Sequence, residues 1–505
     1  MGGGAGASVG GGAPAAGGAG AASGGTALTA GATSSGGTTV TAGATSSGGT
    51  TATAGAAGSG GAVVTGGGGS GGNGGTGGGE SGNGGGGSGG GPTVDPSLPL
   101  TPVAYFPSKG RADGCADAAI SVEFNRLPII KTGFKLAVHD STDAVVDGIT
   151  SNVGDLYFSD LVARNSFQTD ALDVVFNTVV FHPKGDFEPG KTYYVTIAEG
   201  MITDSIGTKF SVKKADNWSF TVRAQKRTTA STLTADGSGD FCSLQGLLTA
   251  LPDAASAARV IQVSRGVYPG IVRMKESQVH FKGAGVDRAV FSHKNSAKMN
   301  SDREGIELSG SDVTFENLTI FNTYLQDSNG QQAEALYVTT AAKRVFLNNV
   351  HLRSHQDTLR VDGQAFMKGG KISGSTDPLW GTGAFYCDGC ELMSRTSGHA
   401  FVVARSTQGY ALVNCRVTKE TASIANTTLA QAHSGSEPGK IAFVGCAIDS
   451  HIVGWREPAD HDWYEYDNTK LTGGGAAVYN GKQLKAGDAV LQSTSSPQSW
   501  LGWAP

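Results

Sequence analysis

AFMKG (365–369) and FYCDG (385–389) stand twenty residues apart, and each is a short apolar run that ends on glycine. The same phrase recurs on both sides as VHFKG (279–283), VTFEN (313–317), VFLNN (345–349), YALVN (410–414) and IAFVG (441–445). Glycine and asparagine are the residues that accept the left-handed backbone of a tight corner. After each corner an apolar or small residue opens another short run, as in LTI, VHL, CEL, CRV and CAI. Successive corners are 34, 32, 20, 20, 25 and 31 residues apart. A minimum step near twenty, with longer steps absorbing loops, is the signature of a right-handed parallel β-helix, in which each coil buries its inner face only against its neighbours. The column that follows the corners reads Leu318, Val350, Gly370, Cys390, Cys415 and Cys446. Small apolar groups are expected there, and a free cysteine behaves as one. Stacked thiols are expected in that column; a disulfide between Cys390 and Cys415 is the other arrangement the spacing permits.

The period also places two carboxylates. Asp357 follows its corner Asn349 by eight residues, and Asp377 follows Gly369 by eight. Equal offsets set both at one angular position on adjacent coils, about 4.8 Å apart. Two carboxylates so close do not both ionise readily, which prepares one to attack and the other to donate a proton. The alternative is a pair of solvated aspartates on a rung. Glu334 precedes Leu336 by two residues, as Asp357 precedes Leu359 and Asp377 precedes Leu379, so a third carboxylate either extends the row or points to solvent.

Outside the solenoid the chain changes character twice. Of its 79 glycines, 41 fall in residues 1–91, a stretch without charge before Glu80 and without any aromatic. TAGATSSGGTTV (29–40) repeats as TAGATSSGGTTA (41–52). Such a tract has too little apolar surface to offset the entropy of ordering it, so residues 1–97 are expected to be a disordered linker. Residues 98–225 carry alternating runs such as AISVEFN (119–125), FKLAVHD (134–140), DVVFNTVVFHP (173–183), TYYVTIAEG (192–200) and NWSFTVRA (217–224). Strands of this length between Gly, Asp and Asn turns predict an antiparallel β-sandwich. With PLTPVAYFPSKG and EPGKTYYVTIAEGMITDSIG, this stretch resembles bacterial Ig-like modules, which implies a spacer or adhesion element. Residues 226–505 form the third segment.

The net charge of −5 argues against a nucleic-acid partner. No run approaches the roughly 20 apolar residues of a membrane span. The first residues show neither the basic nor the apolar region of a secretory leader. Cys387-Asp-Gly-Cys390 has half of a zinc spacing without a second half, so no metal site is expected.

Several blocks, in order, resemble the pectin methylesterases. LTADGSGDFCSLQGLLTALP (233–252) is similar to the opening strand and helix of that family, and RGVYPGIVRM (265–274) to its G-x-Y segment, with Gly270 where the family has glutamate. NGQQAEALYV (329–338) resembles the Q-A-V-A-L block, SHQDTLRV (354–361) the Q-D-T-L block, and ISGSTDPLWG (372–381) the G-T-V-D-F-I-F-G block. DSHIVGW (449–455) and WYEYDNTKLTGGGAAV (463–478) are similar to the closing region. The resemblance implies a carbohydrate esterase that hydrolyses galacturonate methyl esters in pectin without a metal or other cofactor. The Gly-rich tract, the Ig-like module and a polymeric substrate together suggest a secreted or cell-surface protein, expected to be a monomer. It implies Asp377 as nucleophile, Asp357 as proton donor and then base, and Gln356 and Gln332 as oxyanion donors. Trp380 would wall the ester methyl.

Where the family has L-G-R-P-W, this chain has TLAQAH (428–433), which puts Gln431 in place of the arginine and His433 in place of the tryptophan. Glutamine donates hydrogen bonds but brings no charge. Arg405 is the cation expected to substitute. The alternatives to an active pectin esterase are an esterase for another ester and a polysaccharide-binding relative with impaired catalysis.

Overall fold

The computed structural model describes residues 98–505 apart from 151–160, 165–166, 253–256, 325–330, 406–407, 433–438 and 458–460. The expected linker, residues 1–97, lies outside the described residues.

The first layer is the expected sandwich, antiparallel except that Arg111–Gly114 pairs with Ser219–Val222 in parallel. One sheet orders its strands Pro102–Phe106, Ile120–Phe124, Thr178–Phe181 and Leu172–Val175; the other follows Arg111–Gly114, Ser219–Val222, Thr192–Thr203, Lys135–Asp140 and Val145–Thr150. Alternation drives the pairing. Phe124, Val138, Val195, Trp218 and Phe220 turn inward and are almost fully buried. The indole of Trp218 donates to the Pro107 carbonyl at 2.8 Å, which satisfies its polar tip inside the core. DVVFNTVVFHP is a hairpin rather than one strand, because Phe176 takes a left-handed backbone (φ 54°) and Val175 then pairs with Thr178.

The solenoid follows as a parallel β-helix. Among the described residues its strands pair with one another in parallel, coil upon coil, from Thr232–Leu233 to Lys482–Gln483. Six of the seven expected corners take the left-handed backbone: Asn317, Asn349, Gly369, Gly389, Asn414 and Gly445 have φ between 50° and 68°. A strand can run through its corner, as Val345–Arg353 does through Asn349. A separate sheet of seven short strands completes each coil: Val272–Met274, Ile306–Leu308, Leu336–Val338, Leu359–Val361, Leu379–Gly381, Ala400–Ala404 and Thr428–Ala430. Leu336, Leu359 and Leu379 stack inward along this sheet with no exposed surface. Burying each such side chain contributes about 1.5–3 kcal/mol. The helix Leu244–Ala250, capped by the Ser243 hydroxyl, places Leu244, Leu247 and Leu248 in the same core.

In the column behind the corners, Cys390 is bonded to Cys387 within its own corner, while Cys415 and Cys446 are buried free thiols. The expectation of an unbroken stack of thiols is therefore corrected at Cys390. Only the two-residue corner Asp388–Gly389 separates Cys387 from Cys390, which leaves their sulfurs within bonding reach of each other. A second disulfide, Cys115–Cys242, ties the sandwich to the solenoid. Val175 and Val180 of the sandwich pack against Val267 and Val290 of the solenoid. The guanidinium of Arg223 reaches across to the carbonyls of Asp240 (3.2 Å), Gly237 (3.1 Å) and Gly239 (2.7 Å).

Candidate active site

The seven-stranded sheet builds the site by register. Leu336 pairs with Leu359, and Leu359 with Leu379. Two residues before each stands a carboxylate, so Glu334, Asp357 and Asp377 fall in one row across three coils. The rung holding them is hydrogen-bonded: the Ala333 N–H donates to the Gln356 carbonyl at 3.3 Å and the Asp357 N–H to the Thr376 carbonyl at 3.0 Å. Asp357 (φ 61°) and Asp377 (φ 45°) both hold a left-handed backbone. Aspartate tolerates that conformation better than most residues, and its use at two successive rungs re-aims both side chains away from the strand direction.

The three carboxylates sit in unlike surroundings. Asp357 is only 6% exposed, and burial pushes its proton affinity well above the usual carboxylate range. The charges of Glu334 and Asp377 push the same way; Arg303 and a hydrogen bond from the Gln356 side chain pull it back. Asp377 is half-buried and pushed up to about 6 by burial, against the pull of Arg456 and of a hydrogen bond from Gln431. Glu334 has no exposed surface, and its proton affinity is likewise raised by burial and lowered by Arg303. Arg303 clamps the row: Nε lies 2.8 Å from Glu334 Oε1 and Nη2 3.5 Å from Asp357 Oδ2. Glu334 therefore extends the row and does not face solvent.

At the other end, Gln431 Nε2 donates to Asp377 Oδ1 at 3.0 Å. The same amide accepts at its oxygen from Arg456 Nη1, and Arg456 Nη2 donates to the Gly398 carbonyl at 3.1 Å. One row thus holds an acid with a high proton affinity beside a carboxylate that ionises more easily. That separation is the arrangement general acid and nucleophilic catalysis require.

Residues 230–477 match the Pectinesterase family model, and residues 97–222 match the Bacterial Ig-like domain model. The solenoid of this chain is a pectinesterase-family domain, and the chain is an esterase. Among curated proteins it is similar to Pectinesterase A of Dickeya dadantii, at 28% identity over 348 residues, covering 56% of this chain and 94% of that protein. Pectinesterase 31 of Arabidopsis thaliana is 27% identical over 205 residues, covering 36% of this chain and 63% of that one. Among solved structures, the pectin methylesterase from Yersinia enterocolitica aligns at 22% identity and a TM-score of 0.48, covering 52% of this chain and 100% of that chain.

The pectinesterase domain brings together most of the residues expected from the sequence. Gln332 directly precedes Ala333, whose N–H donates to the Gln356 carbonyl, and its own carbonyl is held by the Ala297 N–H at 3.1 Å. Trp380 stands on the outward face of the same sheet, with the guanidinium groups of Arg360 at 4.6 Å and Arg303 at 5.3 Å from its ring. Its wall is therefore lined by cations as well as by its own apolar face. His433 lies outside the described residues.

Arg405 is not where it was expected. Its N–H donates to the Gly381 carbonyl at 2.9 Å, at the far end of the short strand from Asp377. Register explains the miss: Leu379 pairs with Val402, so the residue level with Asp377 on that coil is Ala400, five positions before Arg405. The cation whose charge acts on Asp377, through Gln431, is Arg456, which sequence reasoning passed over although it directly follows DSHIVGW. The signal was the coil. The Arg456 N–H donates to the Ala430 carbonyl at 3.0 Å, so Arg456 lies one coil beyond Gln431 and beside it. Arg303 was missed for a different reason, since it arrives from a loop with no fixed place in the coil period.

Proposed function

We propose that this enzyme hydrolyses the methyl esters of galacturonate units in pectin and releases methanol. The observation that carries the reading is the register of Asp357 and Asp377 on adjacent rungs, the first deeply buried and the second half-buried, each with a glutamine amide hydrogen-bonded to it. The ionised Asp377 attacks the ester carbonyl and forms a tetrahedral oxyanion. The side-chain amides of Gln356 and Gln332 are the donors to that oxyanion. Its collapse breaks the bond to the methoxy oxygen, and Asp357 gives that oxygen a proton as methanol leaves. An anhydride now joins the substrate acyl group to Asp377. Asp357, ionised by its donation, takes a proton from water, and the resulting hydroxide attacks the anhydride carbonyl. Asp377 is released as a carboxylate, Asp357 is left protonated for the next turnover, and the sugar's new carboxylic acid loses its proton to solvent.

Gln431 and Arg456 hold Asp377 in its ionised form. Gln431 supplies the hydrogen bond and Arg456 the charge at one remove, which a single arginine at position 431 would supply together. Trp380 gives the ester methyl an apolar wall, and the guanidinium groups beside it suit the carboxylates of neighbouring sugars. A polymeric substrate of this kind places the enzyme outside the cell or on its surface.

The test is methanol release from highly methylated pectin by the wild type and by Asp377→Ala. Release that the substitution abolishes supports the reading. A well-folded wild type that releases no methanol across pH and degrees of methylation overturns it.

A further inference from the structure

The Ig-like domain meets the esterase domain at one segment that leads directly into the site. The strand Phe167–Asp170 of the Ig-like domain, in a two-stranded sheet with Leu161–Arg164, contacts the loop 294–304 of the solenoid through Asn300 and Lys294. Asn300 closes the contact in both directions: its Oδ1 accepts from the Gln168 N–H and its Nδ2 donates to the Gln168 carbonyl, each at 3.0 Å. Two residues from Gln168, the buried Asp170 pairs with the buried Lys294 at the start of the loop.

Inside the loop the contacts converge on one residue. Asn300 Nδ2 also donates to Asn295 Oδ1 at 2.7 Å. Asn295, fully buried, donates in turn to the carbonyls of Asp302 (2.7 Å) and Glu304 (2.8 Å), which flank Arg303. The carboxylates of the same two residues pair with Arg273 at 3.4 and 3.7 Å, and the Phe167 ring of the Ig-like domain covers the Arg273 guanidinium at 4.5 Å. Both backbone and side chains around Arg303 are thus held from the Ig-like side. Arg303 then reaches Glu334 and Asp357.

The position along the solenoid fits as well. Arg273, Glu307, Tyr337, Arg360 and Trp380 are register partners in one outward row of the seven-stranded sheet. Phe167 therefore stands at the end of that row, four rungs or roughly 19 Å from Trp380.

We infer that the Ig-like domain is a structural part of the esterase site, in which the Gln168–Asn300 contact fixes the loop that aims Arg303 at Glu334 and Asp357. Asn300 and Arg303 are positioning residues in this account. It rests on the proposed role of Asp357 as acid and base, and it replaces the expectation that the domain is a spacer. A displacement of about 1 Å in such a support is enough to cost on the order of a hundredfold in rate.

The groups facing Asp357 are the charges of Glu334, Asp377 and Arg303 and the amide of Gln356. Of these only Arg303 is a cation, so loosening it raises the proton affinity of Asp357. The experiment follows the titration of Asp357 by carboxyl carbon NMR in the full chain, as wild type, Asn300→Ala, Arg303→Gln and the double variant. Methanol release is measured in parallel.

Asn300→Ala is expected to move the Asp357 titration to higher pH, in the direction of Arg303→Gln, and to lower kcat tenfold to a hundredfold. The double variant is expected to titrate as Arg303→Gln alone, because the two act through one group. Phe167→Ala, which leaves the solenoid sequence intact, is expected to move the titration the same way by less. An Asp357 titration unchanged in Asn300→Ala and Phe167→Ala, or effects that simply add in the double variant, overturns the inference. The NMR result decides it even if no pectin yields methanol, an outcome that would instead remove the proposed function.

Discussion

Gln431 donates a 3.0 Å hydrogen bond to Asp377, and the oxygen of the same amide accepts from Arg456. The relay splits between two side chains what one cation would otherwise do: orient the carboxylate and favour its charged form. Both partners lower the proton affinity of Asp377, which burial raises to about 6. Removing either one must therefore raise it further.

Arg456→Gln is accordingly expected to shift the acid limb of kcat/KM to higher pH, since Asp377 has to be ionised to attack. A shift of one unit corresponds to about 1.4 kcal/mol, or tenfold in rate on the acid side, with little loss on the plateau. Gln431→Arg in the same background is expected to restore the limb. A pH–rate profile of the three enzymes decides the matter, and an unmoved acid limb in Arg456→Gln refutes the relay.

Glu334 works on the other aspartate. Its carboxylate disfavours a second negative charge on Asp357, and it shares Arg303 with it. Glu334→Gln removes the repulsion and frees Arg303 to act on Asp357 alone. Both changes lower the proton affinity of Asp357. If Asp357 must carry a proton at the start of turnover, the alkaline limb of kcat/KM should fall to lower pH. Movement of that limb upward, or none, would show that Glu334 does not set the proton affinity of Asp357.

What was legible in the sequence is what the coil repeats. Corners at Asn349 and Gly369 and the offset of eight residues placed Asp357 and Asp377 on one row, because every coil reuses the same backbone geometry. The strands of the sandwich were legible for a similar reason, since alternation over four to six residues leaves few choices of face. What escaped depends on the parts that do not repeat. Arg303 comes from a loop between coils, and its aim is set by Asn300 and Asn295, whose contacts are not periodic. Arg405 was expected because it is a cation on a neighbouring coil, while strand register carries its backbone past Asp377. Glu334 was visible as an offset, but its burial and its pairing with Arg303 were not.

Gly370 offers a test of the solenoid itself. Its backbone is left-handed (φ 75°), and a Cβ there would lie 2.2 Å from the Val350 carbonyl oxygen and 2.6 Å from its nitrogen. Neither atom can move without breaking the rung below. Gly370→Ala should cost the 1–2 kcal/mol of a left-handed non-glycine residue plus roughly 1–3 kcal/mol of overpacking. Denaturant unfolding should show a clear loss of stability, whereas Gly369→Ala, where nothing lies within 4 Å, should lose only the backbone contribution. Equal losses at the two positions would mean that the rung yields.

Cys115 and Cys242 join the two domains across 127 residues of sequence. Loop-closure entropy for a span of this length amounts to about 5 kcal/mol of stability, most of it from constraint of the unfolded chain. The Arg223 contacts and the packed valines remain when the bond is absent, so the domains of Cys115→Ser/Cys242→Ser should stay docked when folded. The double variant is therefore expected to unfold at distinctly lower denaturant concentration while the native enzyme keeps its pH–rate profile. If instead the limb set by Asp357 moves in the double variant, the covalent tie contributes to holding Arg303 as well as to stability. Denaturation midpoints and pH profiles measured on the same preparation separate the two.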